Sequence, residues 1–94
     1  MITEIKAVEI NSDEIRITGI DLEGLLTQDD LYEDAECEEV VFVFPRDEKR
    51  ISSMKYLYKV TSSQKKCKDA KNMGERLDKL IGSIISLSEN FIER

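Results

Sequence analysis

Apolar residues recur with the spacing of strands over the first half of the chain and with helical spacing towards its end. Ala70, Met73, Leu77, Leu80, Ile84, Leu87 and Phe91 occupy the a and d positions of a heptad frame, with no charged residue in the stripe and no proline in the run. That pattern predicts one long amphipathic helix from about 64 to 92. Thr61-Ser62-Ser63 just before it offers an N-cap. At 1.5 Å per residue such a helix is roughly 43 Å long, whereas a compact domain of this size is about 32 Å across. The helix is therefore expected either to kink at Gly74 or Gly82 or to project about two turns beyond its own domain.

Upstream the period is two. Ile2, Ile5, Ala7, Val8 and Ile10 are β-branched or small, but their parity changes between Ala7 and Val8. A β-bulge reconciles this, with a short helix as the competitor. Asn11-Ser12-Asp13-Glu14 reads as a turn, and Ile15-Arg16-Ile17-Thr18 alternates cleanly, so the two runs form a hairpin. Val40-Val41-Phe42-Val43-Phe44 is apolar on both faces and reads as a covered strand closed by Pro45. Met54, Tyr56, Tyr58 and Val60 alternate with Lys55, Leu57 and Lys59, which suits a half-exposed strand. Ile51, Met54 and Tyr58 also fit a helical face, so helix is the alternative there.

The expected fold class is thus α+β: a small antiparallel sheet of about four strands in two hairpins, packed by one long C-terminal amphipathic helix. A chain of 94 residues forms one domain. Residues 1–63 are expected to be mainly β with an acidic connecting segment at 27–39, and residues 64–92 to be helix.

Charge adds a second pattern. Residues 1–45 carry 13 acids and 2 bases, and residues 46–94 carry 7 acids and 12 bases, which together give the net −6. Segment 27–39 holds seven acids and no base, and Thr27 with Asp30 resembles a weak capping box for a short helix at 28–35. Asp29, Asp30, Glu33, Asp34, Glu36, Glu38 and Glu39 are accordingly candidate contacts for a basic site on a partner, with a solvated acidic loop as the plainer reading. Small acidic proteins of this kind can imitate the phosphate array of nucleic acid, as phage-encoded inhibitors of host defence do. Arg46, Lys49, Arg50, Lys55, Lys59, Lys65 and Lys66 form the alternative, an anion-binding series with Tyr56 and Tyr58 interleaved as stacking platforms for a nucleotide or nucleic acid. The acidic balance of the whole chain argues against a polyanion.

The end of the predicted helix is apolar around more than half its circumference. Ile81, Ile84, Ile85, Leu87, Phe91 and Ile92 would form a large exposed patch, which predicts a homodimer or docking as an adaptor subunit.

The chemistry that is missing narrows the function. The chain has no histidine, no C-x-x-C pair and no glycine-rich loop, so metal ligation, cofactor binding and general acid–base catalysis are not expected. Cys37 and Cys67 are expected to be reduced thiols. No apolar window of membrane-spanning length and no secretory signal is present, so a cytoplasmic setting is expected. The resulting expectation is a non-enzymatic regulator or inhibitor that works by binding a protein with a basic cleft.

Overall fold

The computed structural model describes residues 1–22, 39–46 and 51–93. Strands β1 (Ile2–Ile10), β2 (Glu14–Asp21) and β3 (Glu39–Pro45) are followed by helices α1 (Ile51–Ser62) and α2 (Met73–Leu80) and a short strand β4 (Ile84–Ser86). The strands make one antiparallel sheet in the order β3-β2-β1-β4. The α+β class therefore holds.

β1 and β2 form the expected hairpin, turned at Asn11, whose N–H donates to the Glu14 carbonyl at 2.9 Å. The expected bulge is present at Lys6: Ile5 pairs with Gly19 and Ala7 with Thr18, so Lys6 is the extra residue on β1. It re-aims the strand, placing Thr3 and Ile5 inward before it and turning Val8 toward the core after it. β3 lies beside β2 with Phe42 and Phe44 fully buried and Val41 and Val43 half-buried on the other face.

The last strand is not where the pattern of 51–60 put it. Those residues are helix α1, because burial recurs at Ser53, Leu57 and Thr61, one helical turn apart. Leu57, assigned to the polar face of a strand, has no solvent exposure, while Tyr58 is 51% exposed. The hydroxyl of Thr61 donates to the Leu57 carbonyl at 2.8 Å and that of Ser63 to the Val60 carbonyl at 2.6 Å. Thr61-Ser62-Ser63 therefore closes one helix and does not open the next.

Nor is there a single helix from 64 to 92. Lys65–Cys67 is a 3₁₀ turn, and α2 begins only at Asn72, whose side chain accepts from the Glu75 N–H at 2.9 Å. The Glu75 carboxylate reaches back to the Lys71 N–H at 2.6 Å, a variant of the capping box shifted by one residue. α2 stops after eight residues, just before Gly82, which has φ +89°, the left-handed conformation that glycine adopts without a Cβ penalty. Gly82 is a terminator and not a kink.

Beyond Gly82 the period changes from 3.6 to two. Ser83, Ile85 and Leu87 are buried, with Ile84 and Ser86 exposed between them. Thr3 pairs with Ile85 and Ile2 with Ser86, so β4 covers the free edge of β1. The chain then crosses the end of the sheet within a few residues: Ile92 bridges Phe42, and the Glu93 N–H donates to the Val41 carbonyl at 2.8 Å. One short segment thus pairs with both β1 and β3, the two strands that flank β2, and curls the sheet on itself. Phe91 stacks on Phe44 with centroids 4.6 Å apart and lies 4.9 Å from Tyr56, and the Tyr56 hydroxyl accepts from the Ser88 N–H at 2.7 Å. The core, which includes Ile5, Ile15, Ile17, Phe42, Phe44, Leu57, Leu77, Leu80, Ile85 and Leu87, fills the space between curled sheet and helices.

Candidate binding surface and cleft

The fold sorts charge by layer. Over α1, the 3₁₀ turn and α2 (residues 51–80) there are eight bases and three acids; over the β1–β2 hairpin and β3 there are six acids and two bases. The reason is local. The inward positions of each element are uncharged, and the outward positions carry Lys55 and Lys59 one turn apart on α1, then Lys65, Lys66, Lys68, Lys71 and Lys79, all exposed. Lys66 donates to the Ser83 hydroxyl at 2.7 Å and so ties the 3₁₀ turn to the start of the β4 segment.

Arg76 was absent from the basic series read from the sequence, yet it is the residue that joins the helices. Its guanidinium carbon lies 5.2 Å from the centre of the Tyr58 ring, and Nη1 donates to Thr61 Oγ1 at 3.2 Å and Ser62 Oγ at 3.3 Å. Only the packing of α2 on α1 creates this pair, so no local pattern could have announced it.

Beside it lies a cleft of about 420 Å³, lined by Ile10, Ile15, Arg46, Met54, Tyr58, Met73 and Gly74. It sits where the β1–β2 hairpin meets both helices. Ile10 and Ile15 are cross-strand partners, and Ile10 is 42% exposed. Arg46 follows β3 and is fixed on the hairpin turn: its N–H donates to the Asp13 carbonyl at 2.9 Å and Nη1 to the Asn11 carbonyl at 2.7 Å.

Of the anion-binding series, Arg46 lines the cleft, Lys55 and Lys59 lie exposed on α1, and Lys65 and Lys66 are exposed in the 3₁₀ turn. Lys49 and Arg50 lie outside the described residues. So do Asp29, Asp30, Glu33, Asp34, Glu36 and Glu38, and the helix expected at 28–35; Glu39 is exposed at the start of β3. The proposed interface is divided. Ile85 and Leu87 belong to the core of the chain itself, Phe91 and Ile92 pack against that core, and Ile81 and Ile84 remain 45% and 61% exposed. The contiguous apolar stripe that motivated a dimer is thus largely consumed within the monomer.

Elsewhere on the sheet, Arg16 bridges Glu14 and Glu93, and the hydrogen bond to Glu93, then that to Glu14, raises the guanidinium pKa. Cys67 is a buried free thiol whose Sγ donates to the Arg76 carbonyl at 3.3 Å. Among the described residues no cluster of acids and cysteines is arranged to hold a metal ion, and no helix is long and apolar enough to cross a membrane. Comparison with protein families, with curated proteins and with solved structures finds no match for this chain.

Proposed function

We propose that this protein is a non-enzymatic binding module that meets an acidic protein surface with its helical layer. The observation that carries the reading is the segregation of charge, eight bases against three acids over residues 51–80. A field of that kind steers an oppositely charged partner and rejects like-charged ones. An extended nucleic acid is the poorer match, because the net charge of −6 repels a polyanion wherever it leaves the basic layer. The setting is the cytoplasm expected from the sequence.

A second reading rests on the opposite pole. The β1–β2 hairpin and β3 carry six acids and two bases, and Glu39 continues the acidic run of 27–38 into β3. In that reading the acidic side occupies a basic site on the partner, as a regulator or inhibitor does.

Fluorescence anisotropy with labelled oligo-glutamate, oligo-lysine and a single-stranded oligonucleotide, at low and at physiological salt, separates these. The helical-layer reading expects oligo-glutamate to bind with strong salt dependence and the K55E/K59E variant to lose it. Absence of oligo-glutamate binding at low salt, or undiminished binding by K55E/K59E, overturns it. Binding of oligo-lysine alone transfers the function to the acidic pole, and binding of the oligonucleotide alone to nucleic acid.

A further inference from the structure

The cleft between the hairpin and the helices has a chemistry distinct from the lysine-rich layer. We infer that it takes a small amphipathic carboxylate, with an apolar chain or ring against Ile10, Ile15, Met54 and Met73 and the carboxylate on Arg46. This goes beyond the charged-surface reading and stands whether or not that reading does.

Size comes first. A volume of about 420 Å³ falls within the range of roughly 300–1,000 Å³ that small-molecule sites occupy. The apolar walls come from four separate elements: Ile10 and Ile15 from β1 and β2, Met54 and Tyr58 from α1, and Met73 and Gly74 from α2. Gly74 leaves room at the wall, since the Cβ that it lacks would stand 3.6 Å from Ile10 Cδ1. Ile10 and Tyr58 are 42% and 51% exposed, so the fold leaves apolar surface uncovered at the cleft. The two methionines are unbranched and polarizable, and they adapt to an apolar body of more than one shape.

The polar lining selects the head group. Arg46 is a permanent cation with a planar fork of donors, and its bond to the Asn11 carbonyl orients the guanidinium before any ligand arrives. Among the described residues the Tyr58 hydroxyl is the other polar side-chain group in the lining, and no carboxylate lines the cleft. Among the described residues an amine therefore finds no counter-charge there. A carboxylate has two oxygens that match a guanidinium edge. A phosphate monoester carries more charge and more acceptors than one guanidinium and one phenol satisfy. The charge complementarity points to a monocarboxylate.

The chain itself supplies the reporter. It has three methionines, Met54 and Met73 in the cleft and Met1 outside it. The intact protein is labelled with [¹³C-methyl]methionine and titrated with decanoate, decanol and decylamine below their micellar concentrations, following the methyl resonances. Decanoate is expected to move Met54 and Met73 and leave Met1 in place, and decanol and decylamine to bind about ten-fold more weakly or worse. In R46Q the decanoate affinity falls about ten-fold and the decanol affinity is unchanged. Arg46 is exposed and its backbone bond to Asp13 survives the substitution, so R46Q is expected to fold. The inference is overturned if no methionine moves, if all three move together as in surface adsorption, if decanol or decylamine binds as tightly as decanoate, or if R46Q binds decanoate like the wild type.

Discussion

Replacing Gly19 with alanine tests how closely the two central strands approach. Gly19 sits in β2 between Ile5 of β1 and Val40 of β3 and is enclosed by the sheet. A methyl group built on it would stand 2.4 Å from Thr3 Cγ2 and 2.9 Å from the Glu4 carbonyl oxygen. Carbon atoms in contact settle at about 3.5–4.0 Å, so the overlap with the threonine methyl is roughly 1.1 Å. Thr3 has no solvent exposure and a β-branched side chain stiff at χ1, which leaves it little room to turn aside. The second obstacle is backbone in the β1–β2 ladder, so relief requires the strands to separate. Overpacking of this kind costs about 1–3 kcal/mol. Alanine also stiffens the unfolded chain, offsetting about 0.4–1 kcal/mol. The net loss is then about 1.3 kcal/mol at the middle of both ranges and at most about 2.6 kcal/mol, and with a urea m-value near 2 kcal/mol/M the midpoint falls by about 0.6 M, at most about 1.3 M. The T3S/G19A double variant removes Cγ2 and keeps the hydroxyl that donates to the Met1 carbonyl. Because the Glu4 contact remains, rescue should be partial, with a coupling of at least about 0.5 kcal/mol. An unchanged midpoint for G19A, or strictly additive effects in the double variant, would refute the close approach.

Two further substitutions address the elements that the sequence pattern misassigned. Leu57→Ala should cost about 2–5 kcal/mol in urea unfolding, whereas Tyr58→Ala should cost no more than about 1 kcal/mol, the worth of its stacking with Arg76. A strand over 51–60 would reverse that order. Gly82→Ala meets no atom within 4 Å, so its cost is the backbone penalty of φ +89° alone, about 1–2 kcal/mol. By calorimetry this lowers Tm by about 4–8 °C per kcal/mol. A continuous helix through Gly82 would instead be stabilised by alanine, giving a rise in Tm.

What the sequence settled by itself was local. The β1–β2 hairpin follows from alternation and a turn cluster, and the parity change in β1 marked a bulge within a residue or two of Lys6. β3 follows from a short apolar run ended by Pro45. Over the described residues the division of charge between the halves persists between layers, because β1, β2 and β3 come from the first half and both helices from the second. What the tertiary structure decided was every choice between two compatible periods. Met54, Tyr56, Tyr58 and Val60 alternate, but a strand would turn Leu57 away from them, and burying Leu57 in the same core as Phe44 selects the helix. The heptad stripe through Leu80, Ile84 and Leu87 suits a helix, while the alternation that the fold uses puts Ile85 and Leu87 inward and Ile84 outward, and the local signs of that break, Gly82-Ser83 and the β-branched Ile84-Ile85, weigh little beside the stripe. The open edge of β1, some eighty residues earlier in the chain, resolves the choice by supplying hydrogen-bond partners for Ile84–Ser86. Pairings that distant leave no trace in a local pattern. The cleft was illegible for the same reason: Ile10, Arg46, Met54 and Met73 belong to different segments, and only their packing makes one surface of them.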